Sequence, residues 1–287
     1  MKILIIGGDG MLGHQLLRQW RPRHVVRVTL RKDLAAYASL NLFREEFVFT
    51  GVDVRSIDHI AKCVEASRPD VIVNAVGLVK QRPSGQDCMA NLELNALLPH
   101  QLAFIAQKAG ARLVHFSTDC VFSGRKGNYV ETDFPDADDL YGRTKLLGEI
   151  HFPHTLTLRT SIIGRELSRK ASLIEWFLAQ RGMVHGFTRA IYTGFTTLEI
   201  ARIVERLLMH YPTASGLWHI SSDRITKYDL LRMVRKYFKI NTEIVPDDSF
   251  VCDRSLASER FRSTFGYAPP SWDKMVEELA QDNDFYR

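Results

Sequence analysis

The sequence has little that points to a metal site or to a disulfide framework. Its cysteines are few, and their spacing matches no zinc motif and no CxxC redox pair. Scattered single thiols of this kind are typical of a reducing compartment, so we expect a cytoplasmic protein without a bound metal. The four cysteines are Cys63, Cys88, Cys120 and Cys252.

Long apolar runs and blocks of like charge are missing as well. The first apolar stretch, Ile3–Ile6, meets glycine after four residues, which is too short for a signal peptide or a membrane span. The net charge is +5, but the basic residues are spread along the chain. Nucleic-acid binding calls for a clustered basic face, and small phosphate-bearing ligands explain the excess equally well. We therefore expect neither a membrane nor a nucleic acid as a partner.

The first 160 residues alternate short apolar runs with longer amphipathic ones. This alternation predicts parallel crossovers, and hence an α/β fold with a doubly wound parallel sheet. The predicted strands are Ile3–Ile6, Val25–Leu30, Phe47–Val52, Val71–Ala75, Leu113–Ser117 and Leu156–Arg159. The predicted helices are Met11–Trp20, Ile57–Ser67, Asn91–Ala109 and Leu140–Ile150.

After residue 160 the pattern loosens into shorter elements, which we expect Pro246 and Pro269-Pro270 to interrupt. We predict a nucleotide-binding domain over residues 1–160, completed by part of 190–222, and a smaller substrate-binding lobe over 161–287, partly as a cap on the sheet's carboxyl edge. Its predicted elements are helices Leu173–Gln180, Leu198–Tyr211 and Lys227–Phe238 and the strand Gly216–Ser221.

A glycine-rich turn, Gly7-Gly8-Asp9-Gly10-Met11-Leu12-Gly13, follows the first predicted strand and opens the first predicted helix. In a GxxGxxG spacing the first glycine allows a tight turn, the second lets the backbone approach a pyrophosphate, and the third lets helix and strand pack closely. Free N–H groups at the helix N-terminus then bind the anion. The context favours dinucleotide binding by Gly7, Gly10, Met11, Leu12 and Gly13 over a glycine turn without a ligand.

The end of the second strand usually selects between the two nicotinamide cofactors. Here Arg31 and Lys32 come first and Asp33 third, which predicts NADP(H), with NAD(H) left open and a solvated charged turn as the alternative. Further cofactor contacts are predicted after the third and fourth strands, at Asp53, Val54, Asn74, Ala75, Val76 and Gly77.

Tyr141 and Lys145 stand four residues apart on a predicted helix and therefore on one face of it. A cation one turn away favours the tyrosine's phenolate and makes proton exchange easier. Ser117-Thr118 ends the fifth strand, where a hydroxyl could hold the same carbonyl oxygen. An exposed helix pair is the alternative, but the order of glycine loop, hydroxyl and Tyr-xxx-Lys favours a catalytic site.

These features together resemble the extended short-chain dehydrogenase/reductase family. The segments Ser117–Gly124 and Tyr141–Glu149 are most similar to its dTDP-4-dehydrorhamnose reductase-like branch, which reduces sugar nucleotides. The resemblance implies that Tyr141 protonates a keto oxygen, Lys145 holds the nicotinamide ribose, Thr118 binds the substrate oxygen, and Asn95 supports a proton relay. It implies a nucleotide-sugar substrate, with contacts from Val79, Lys80, Thr118, Asp119, Cys120, Tyr141 and Ile162.

Two positions depart from that branch, which carries a tyrosine where Cys120 stands and a tryptophan where Ile162 stands. Both aromatic residues contact the sugar in the branch, so a 4-keto sugar on UDP, GDP or CDP is as compatible with this chain as one on dTDP. A dehydratase is disfavoured, because its glutamate is replaced by Cys120. An epimerase, a non-catalytic nucleotide-binding subunit and a homodimer remain open.

Overall fold

The computed structural model describes residues 1–79, 86–168 and 170–286. The strands of these segments are β1 (Lys2–Ile6), β2 (Val25–Thr29), β3 (Val48–Phe49), β4 (Val71–Asn74), β5 (Arg112–Thr118), β6 (Thr155–Thr160), β7 (Ile162–Ile163), β8 (Gly182–Phe187), β9 (Ala190–Tyr192), β10 (Phe195–Thr196), β11 (Gly216–His219), β12 (Ile225–Thr226), β13 (Thr242–Asp247) and β14 (Cys252–Asp253).

The α-helices of the same segments are α1 (Met11–Trp20), α2 (Ile57–Ser67), α3 (Cys88–Asn91), α4 (Leu98–Ala109), α5 (Leu140–Leu147), α6 (Leu173–Leu178), α7 (Thr197–His210), α8 (Lys227–Phe238), α9 (Glu259–Phe265) and α10 (Trp272–Gln281). A π-helical turn, Leu92–Leu97, joins α3 to α4. Within the described residues, no helix combines the length and the apolar character needed to cross a membrane.

In the described segments, seven strands form the central sheet in the order β11-β6-β5-β4-β1-β2-β3. The pairs that β1 makes with β2 and β4, and the pairs β2-β3 and β4-β5, are parallel. Alternate residues of β1 explain the layering: Leu4 and Ile6 belong to an apolar cluster with α2 and α4, whereas Ile3 and Ile5 are buried on the other face of the strand. The predicted doubly wound α/β fold is confirmed.

The chain divides into two compact units whose bounds differ from the predicted boundary at residue 160. The first unit comprises residues 1–117, 139–158 and 204–217, and the second comprises 118–138, 159–203 and 218–287. The last residues of β5, β6 and β11 are therefore assigned to the second unit.

Two predicted helices and one predicted interruption differ from the structure. The predicted helix over 140–150 ends at Leu147, and Gly148 after it lies so close to the π-helical turn that a Cβ would stand 2.0 Å from the Asn95 carbonyl oxygen. The predicted helix over 91–109 contains the π-helical turn, which inserts one extra residue per turn. Pro246 does not interrupt an element but lies inside β13, opposite Gly186 of β8 in a two-stranded sheet. Proline is tolerated there because an edge strand has backbone positions that need no N–H donor.

Candidate functional site

The glycine loop between β1 and α1 is a tight turn held together by its backbone. Gly7 has φ +91°, and a side chain there would also meet the Val76 side chain at 2.7 Å. A Cβ on Gly13 would lie 2.0 Å from the Gly7 carbonyl oxygen, so only glycine lets α1 start this close to the turn. The Gly7 amide donates to the Thr29 hydroxyl at 3.0 Å, which ties the turn to the end of β2. Gly7 and Gly13 are thus required by the fold itself.

Gly10 differs, because the fold does not require it to be glycine. Its φ is −75°, and an added Cβ would meet its nearest atom, the Gly7 carbonyl oxygen, at an ordinary 3.4 Å. It is the N-cap of α1, whose first intrahelical bond runs from the His14 amide to the Gly10 carbonyl. The amides of residues 11–13 come before that first bond, so the helix itself gives them no acceptor. Amides in this position at a helix N-terminus bind phosphate oxygens. The absence of a side chain at position 10 therefore fits a pyrophosphate group.

The end of β2 carries the charges that were predicted to select the cofactor. Arg31 and Lys32 are exposed, and neither side chain has an ion-pair partner within the described residues. A negative charge from the glycine loop lies at the same end of β2, because the Tyr37 hydroxyl donates to the Asp9 carboxylate at 3.0 Å and accepts from the Lys32 amide at 3.4 Å. Asp53 follows β3, is exposed, and accepts from the Arg55 amide. Val54, beside it, packs partly against the core.

The segment after β4, residues 74–78, is held from two sides by buried amides. Asn74 accepts the Val76 amide at 3.1 Å, and its own amide nitrogen lies 3.2 Å from the ring of His115 on β5. Asn95, in the π-helical turn and fully buried, accepts the Leu78 amide at 2.9 Å and donates to the Leu78 carbonyl. These bonds fix the backbone of Ala75, Val76 and Gly77. The predicted Val79 is 37% exposed, and the predicted Lys80 lies outside the described residues.

Helix α5 presents Tyr141 and Lys145 one turn apart. Its first turn is capped by Asp139, whose carboxylate accepts the Gly142 amide at 2.8 Å. Tyr141 is half-buried, whereas Lys145 is only 5% exposed and its ammonium donates to the Phe116 carbonyl at 2.6 Å. Burial lowers the pKa of Lys145 to about 8, although the Glu149 carboxylate acts in the opposite direction. The ammonium is thus cationic at neutral pH and is fixed at the end of β5.

The predicted substrate residues of the second unit include Thr118, Asp119 and Cys120, which follow one another at the end of β5. The Thr118 hydroxyl accepts the Cys120 amide and donates to the Asp119 carboxylate, each at 3.1 Å. The Arg254 guanidinium lies 3.8 Å from the Cys120 sulfur. Burial and the nearby Asp119 carboxylate raise the pKa of the Tyr192 hydroxyl well above its usual value. The other predicted substrate residue of this unit, Ile162, lies in β7 and pairs with Phe195 of β10.

Several residues of this geometry were not among the predicted site residues. In the first unit these are His115 and Glu149, both buried. In the second unit they are Tyr192 and Arg254, which follow the 119–120 segment by more than 70 residues of sequence. Glu149 alone had a sequence signal: it stands four residues after Lys145, where a helix would bring the two charges together. The other three depend on tertiary packing and have no local pattern.

A parallel doubly wound sheet, a glycine turn at the first helix and a Tyr-xxx-Lys pair on α5 define an extended short-chain dehydrogenase/reductase, which confirms the predicted resemblance. The match to one family model is nearly complete, covering residues 1–284. The chain belongs to that family, described as the RmlD substrate binding domain.

Three known proteins illustrate the similarity. The dTDP-4-dehydrorhamnose reductase of Salmonella typhimurium strain LT2 is 27% identical over 97% of this chain and 97% of its own length. The enzyme of the same name from Burkholderia thailandensis is 33% identical, but that alignment covers 56% of this chain and only 50% of the relative. The crystal structure of dTDP-4-dehydrorhamnose reductase from Bacillus anthracis in complex with NADP has a TM-score of 0.79, at 20% identity and 98% coverage of both chains.

Proposed function

We propose that this protein is an NAD(P)H-dependent reductase that reduces a keto group, at C4 of the sugar, in a nucleotide-activated deoxysugar. The observation that carries the proposal is the buried ammonium of Lys145, one helical turn from the half-buried Tyr141 on α5. The full-length relative in Salmonella typhimurium bears the name of such a reductase, and this supports the substrate class. A cytoplasmic location belongs to the same proposal.

The cofactor's pyrophosphate would be held by the amides of residues 11–13 and by the space above Gly10. Arg31 and Lys32 favour NADP(H) over NAD(H), because an adenosine 2′-phosphate would offer these exposed cations an anionic partner. The Asp9 carboxylate, held by Tyr37, acts against that preference. The bound nicotinamide supplies the hydride, and the residues of the chain supply binding, orientation and a proton.

Tyr141 is the proton donor to the substrate's carbonyl oxygen, on which negative charge develops during reduction. Its phenolate is then stabilised by the Lys145 ammonium. Since the pKa of Lys145 is about 8, this stabilisation is present at neutral pH and is lost as the pH rises through about 8. The resemblance assigns Thr118 to the substrate oxygen, and its hydroxyl donates to the Asp119 carboxylate at 3.1 Å. Asn95 supports the cofactor side by fixing the Leu78 backbone.

The substrate panel that tests this function uses 4-keto-6-deoxy sugars linked to dTDP, UDP, GDP or CDP. We expect oxidation of NADPH with one of them, together with a product two hydrogen atoms richer by mass spectrometry. Formation of an epimer without net cofactor oxidation would assign an epimerase instead. If the protein binds NADPH but turns over none of the four, the proposal is wrong and the non-catalytic nucleotide-binding subunit takes its place.

A further inference from the structure

Two opposite charges on neighbouring turns are buried at the end of β5. Lys145 on α5 donates to the Phe116 carbonyl at 2.6 Å, and Glu149, just past the end of the helix, accepts from the hydroxyl of Ser117 at 2.6 Å. The exposed fractions of Lys145, Ser117 and Glu149 are 5%, 5% and 8%. The last two residues of β5 in the first unit are thereby held by a cation and by an anion from one helical segment.

Glu149 is fixed by packing as well as by this hydrogen bond. The preceding residue is Gly148, whose Cα lies so close to the π-helical turn that a Cβ would stand 2.0 Å from the Asn95 carbonyl oxygen. The Leu147 carbonyl is also held, 2.8 Å from the ring of His100 on α4. The end of α5 therefore has little freedom to carry its carboxylate elsewhere.

A buried ammonium without a counter-charge would lose its proton or expose itself to water, because burial disfavours the charged form of a lysine. Burial is the larger influence on Lys145, and the Glu149 carboxylate opposes it. Burial, the Lys145 cation and His100 together keep the pKa of the buried His115 well below its usual value. His115 on β5 and His100 on α4 are therefore titratable groups near this place that offer no negative charge.

We propose that Glu149 is a positioning residue for Lys145: held by Ser117, it is the buried counter-charge that keeps the Lys145 ammonium protonated and fixed beside Tyr141. This inference rests on the proposed function for its consequence in catalysis, but the burial and hydrogen bonds of Lys145, Ser117 and Glu149 do not depend on it. It also gives Ser117 a role distinct from that of Thr118, since the Ser117 hydroxyl serves the carboxylate.

The test titrates Lys145 directly, by NMR of protein labelled with ¹³Cε-lysine, with the Lys145 signal assigned by its loss in Lys145→Met. Glu149→Gln keeps the volume and an oxygen that accepts from Ser117, so that mainly the charge is removed. Because the carboxylate raises the pKa of Lys145, its removal should move the titration midpoint downward by about one pH unit. The exposed Glu65→Gln, which changes the net charge equally, should leave the midpoint unchanged.

Turnover is the second readout. Below both midpoints Lys145 is protonated in both proteins, and Glu149→Gln should retain most of the wild-type kcat. At pH values above both midpoints the variant should lose up to about tenfold, because one unit of displacement is a factor of ten in the protonated fraction. Glu149→Asp should restore part of the alkaline activity, and it also serves as the test if Glu149→Gln does not fold.

An unmoved Lys145 midpoint in Glu149→Gln overturns the proposal, as does an equal loss of turnover at every pH, which a purely structural role of Glu149 would give. A failure of the proposed function is distinguishable from both outcomes. In that case the wild-type protein reduces no keto sugar nucleotide, while the NMR midpoint still moves in the variant.

Discussion

The glycine loop and the Phe116-Ser117 segment near the end of β5 lie in the same unit, but they are built on opposite principles. The loop, residues 7–13, is shaped by the absence of side chains, and its groups for binding are backbone amides at the start of α1. The end of β5 is shaped by side chains, because Lys145, Ser117 and Glu149 are buried there and hydrogen-bonded at 2.6 Å. Both arrangements present polar groups in fixed positions. Residues 7–13 are called the backbone site below, and Lys145, Ser117 and Glu149 together with Tyr141, one turn from Lys145, are called the side-chain site.

The difference between them predicts how each region responds to substitution. In a backbone site a single added carbon either collides with a neighbouring backbone atom, as at Gly13, or fills space left for the ligand, as proposed at Gly10. A side-chain site can keep its packing when a substitution preserves the shape, yet it loses the charge or the proton on which its chemistry depends. Substitutions in the glycine loop should therefore change stability or cofactor binding, whereas substitutions of equal shape near the end of β5 should mainly change turnover.

The largest effect is expected at the side-chain site, from Tyr141→Phe. The ring still packs and only the proton donor is lost, so kcat should fall by roughly 10²–10⁴-fold. The Kd for NADPH and the midpoint of urea unfolding should stay close to the wild-type values. Steady-state kinetics on the substrate found by the panel, with fluorescence titration of NADPH, measure these quantities.

Tyr228→Phe is the matched control, because Tyr228 is half-buried on α8 in the second unit and has no predicted role. It should keep full turnover. Lys145→Met should lower kcat and also weaken NADPH binding, because the ammonium is assigned to the cofactor ribose as well as to Tyr141. Near-full activity in Tyr141→Phe would contradict the catalytic assignment. Tyr141 and Lys145 would then be an ordinary i,i+4 helix pair, worth only a few tenths of a kcal/mol.

The next effect belongs to the backbone site, where two alanine substitutions should behave differently. In Gly13→Ala the new Cβ would stand 2.0 Å from a backbone oxygen, so we expect a loss of about 1–3 kcal/mol or more in the free energy of unfolding. In Gly10→Ala the Cβ has ordinary contacts and an allowed φ, so the free energy of unfolding should change by less than about 1 kcal/mol. Urea denaturation measures both.

NADPH affinity is the second quantity to measure in these two variants. Gly10→Ala, although stable, should bind NADPH more weakly than the wild type, since the methyl group occupies the space assigned to the pyrophosphate. Equal stability and equal NADPH affinity in Gly10→Ala would place the pyrophosphate elsewhere. A stable Gly13→Ala would show that α1 can move away from the turn, and the backbone site would then be no more rigid than the side-chain site.

The sequence predicted the backbone site more completely than the side-chain site, for a physical reason. Spacing alone encodes a turn, so Gly7, Gly10 and Gly13 could be assigned together with the helix that follows them. The strands β1, β2 and β4 were also recoverable, because buried parallel strands are continuous apolar runs. The predicted third strand was too long, as only Val48–Phe49 pairs with β2 in this edge position.

Long-range pairs were not recoverable from the sequence. The hydrogen bond between Asn74 and His115 joins residues 41 positions apart, and that between Ser117 and Glu149 joins residues 32 apart. Asn95 was predicted to support a proton relay, and its side-chain hydrogen bonds within the described residues are with Leu78, Asn91 and Thr144. Which polar side chain finds which partner depends on how the strands are ordered in space, and no local periodicity contains that information.

The smallest effect is expected at Arg31 and Lys32, which belong to neither kind of site because both side chains are exposed. Exposed ion pairs contribute roughly 0.2–1 kcal/mol each, so Arg31→Ala with Lys32→Ala should raise the KM for NADPH by about 2- to 30-fold. The KM for NADH, which lacks the 2′-phosphate, should change little. Asp9→Asn should act in the opposite direction, because it removes the negative charge that Tyr37 holds at this end of β2.

Two further measurements test whether Arg31 and Lys32 distinguish NADPH from NADH: the salt dependence of KM and a control variant of equal charge. The difference in KM between NADPH and NADH should shrink as ionic strength rises from 0.01 to 1 M, because the Debye length falls from about 30 Å to about 3 Å. Lys62→Ala with Lys108→Ala removes the same net charge from exposed helix positions and should affect both cofactors equally. If Arg31→Ala with Lys32→Ala also affects NADPH and NADH equally, the 2′-phosphate is not recognised at the end of β2. Cofactor choice would then have to come from the backbone site or from Asp9, and a preference for NADP(H) would lose its basis in these two cations.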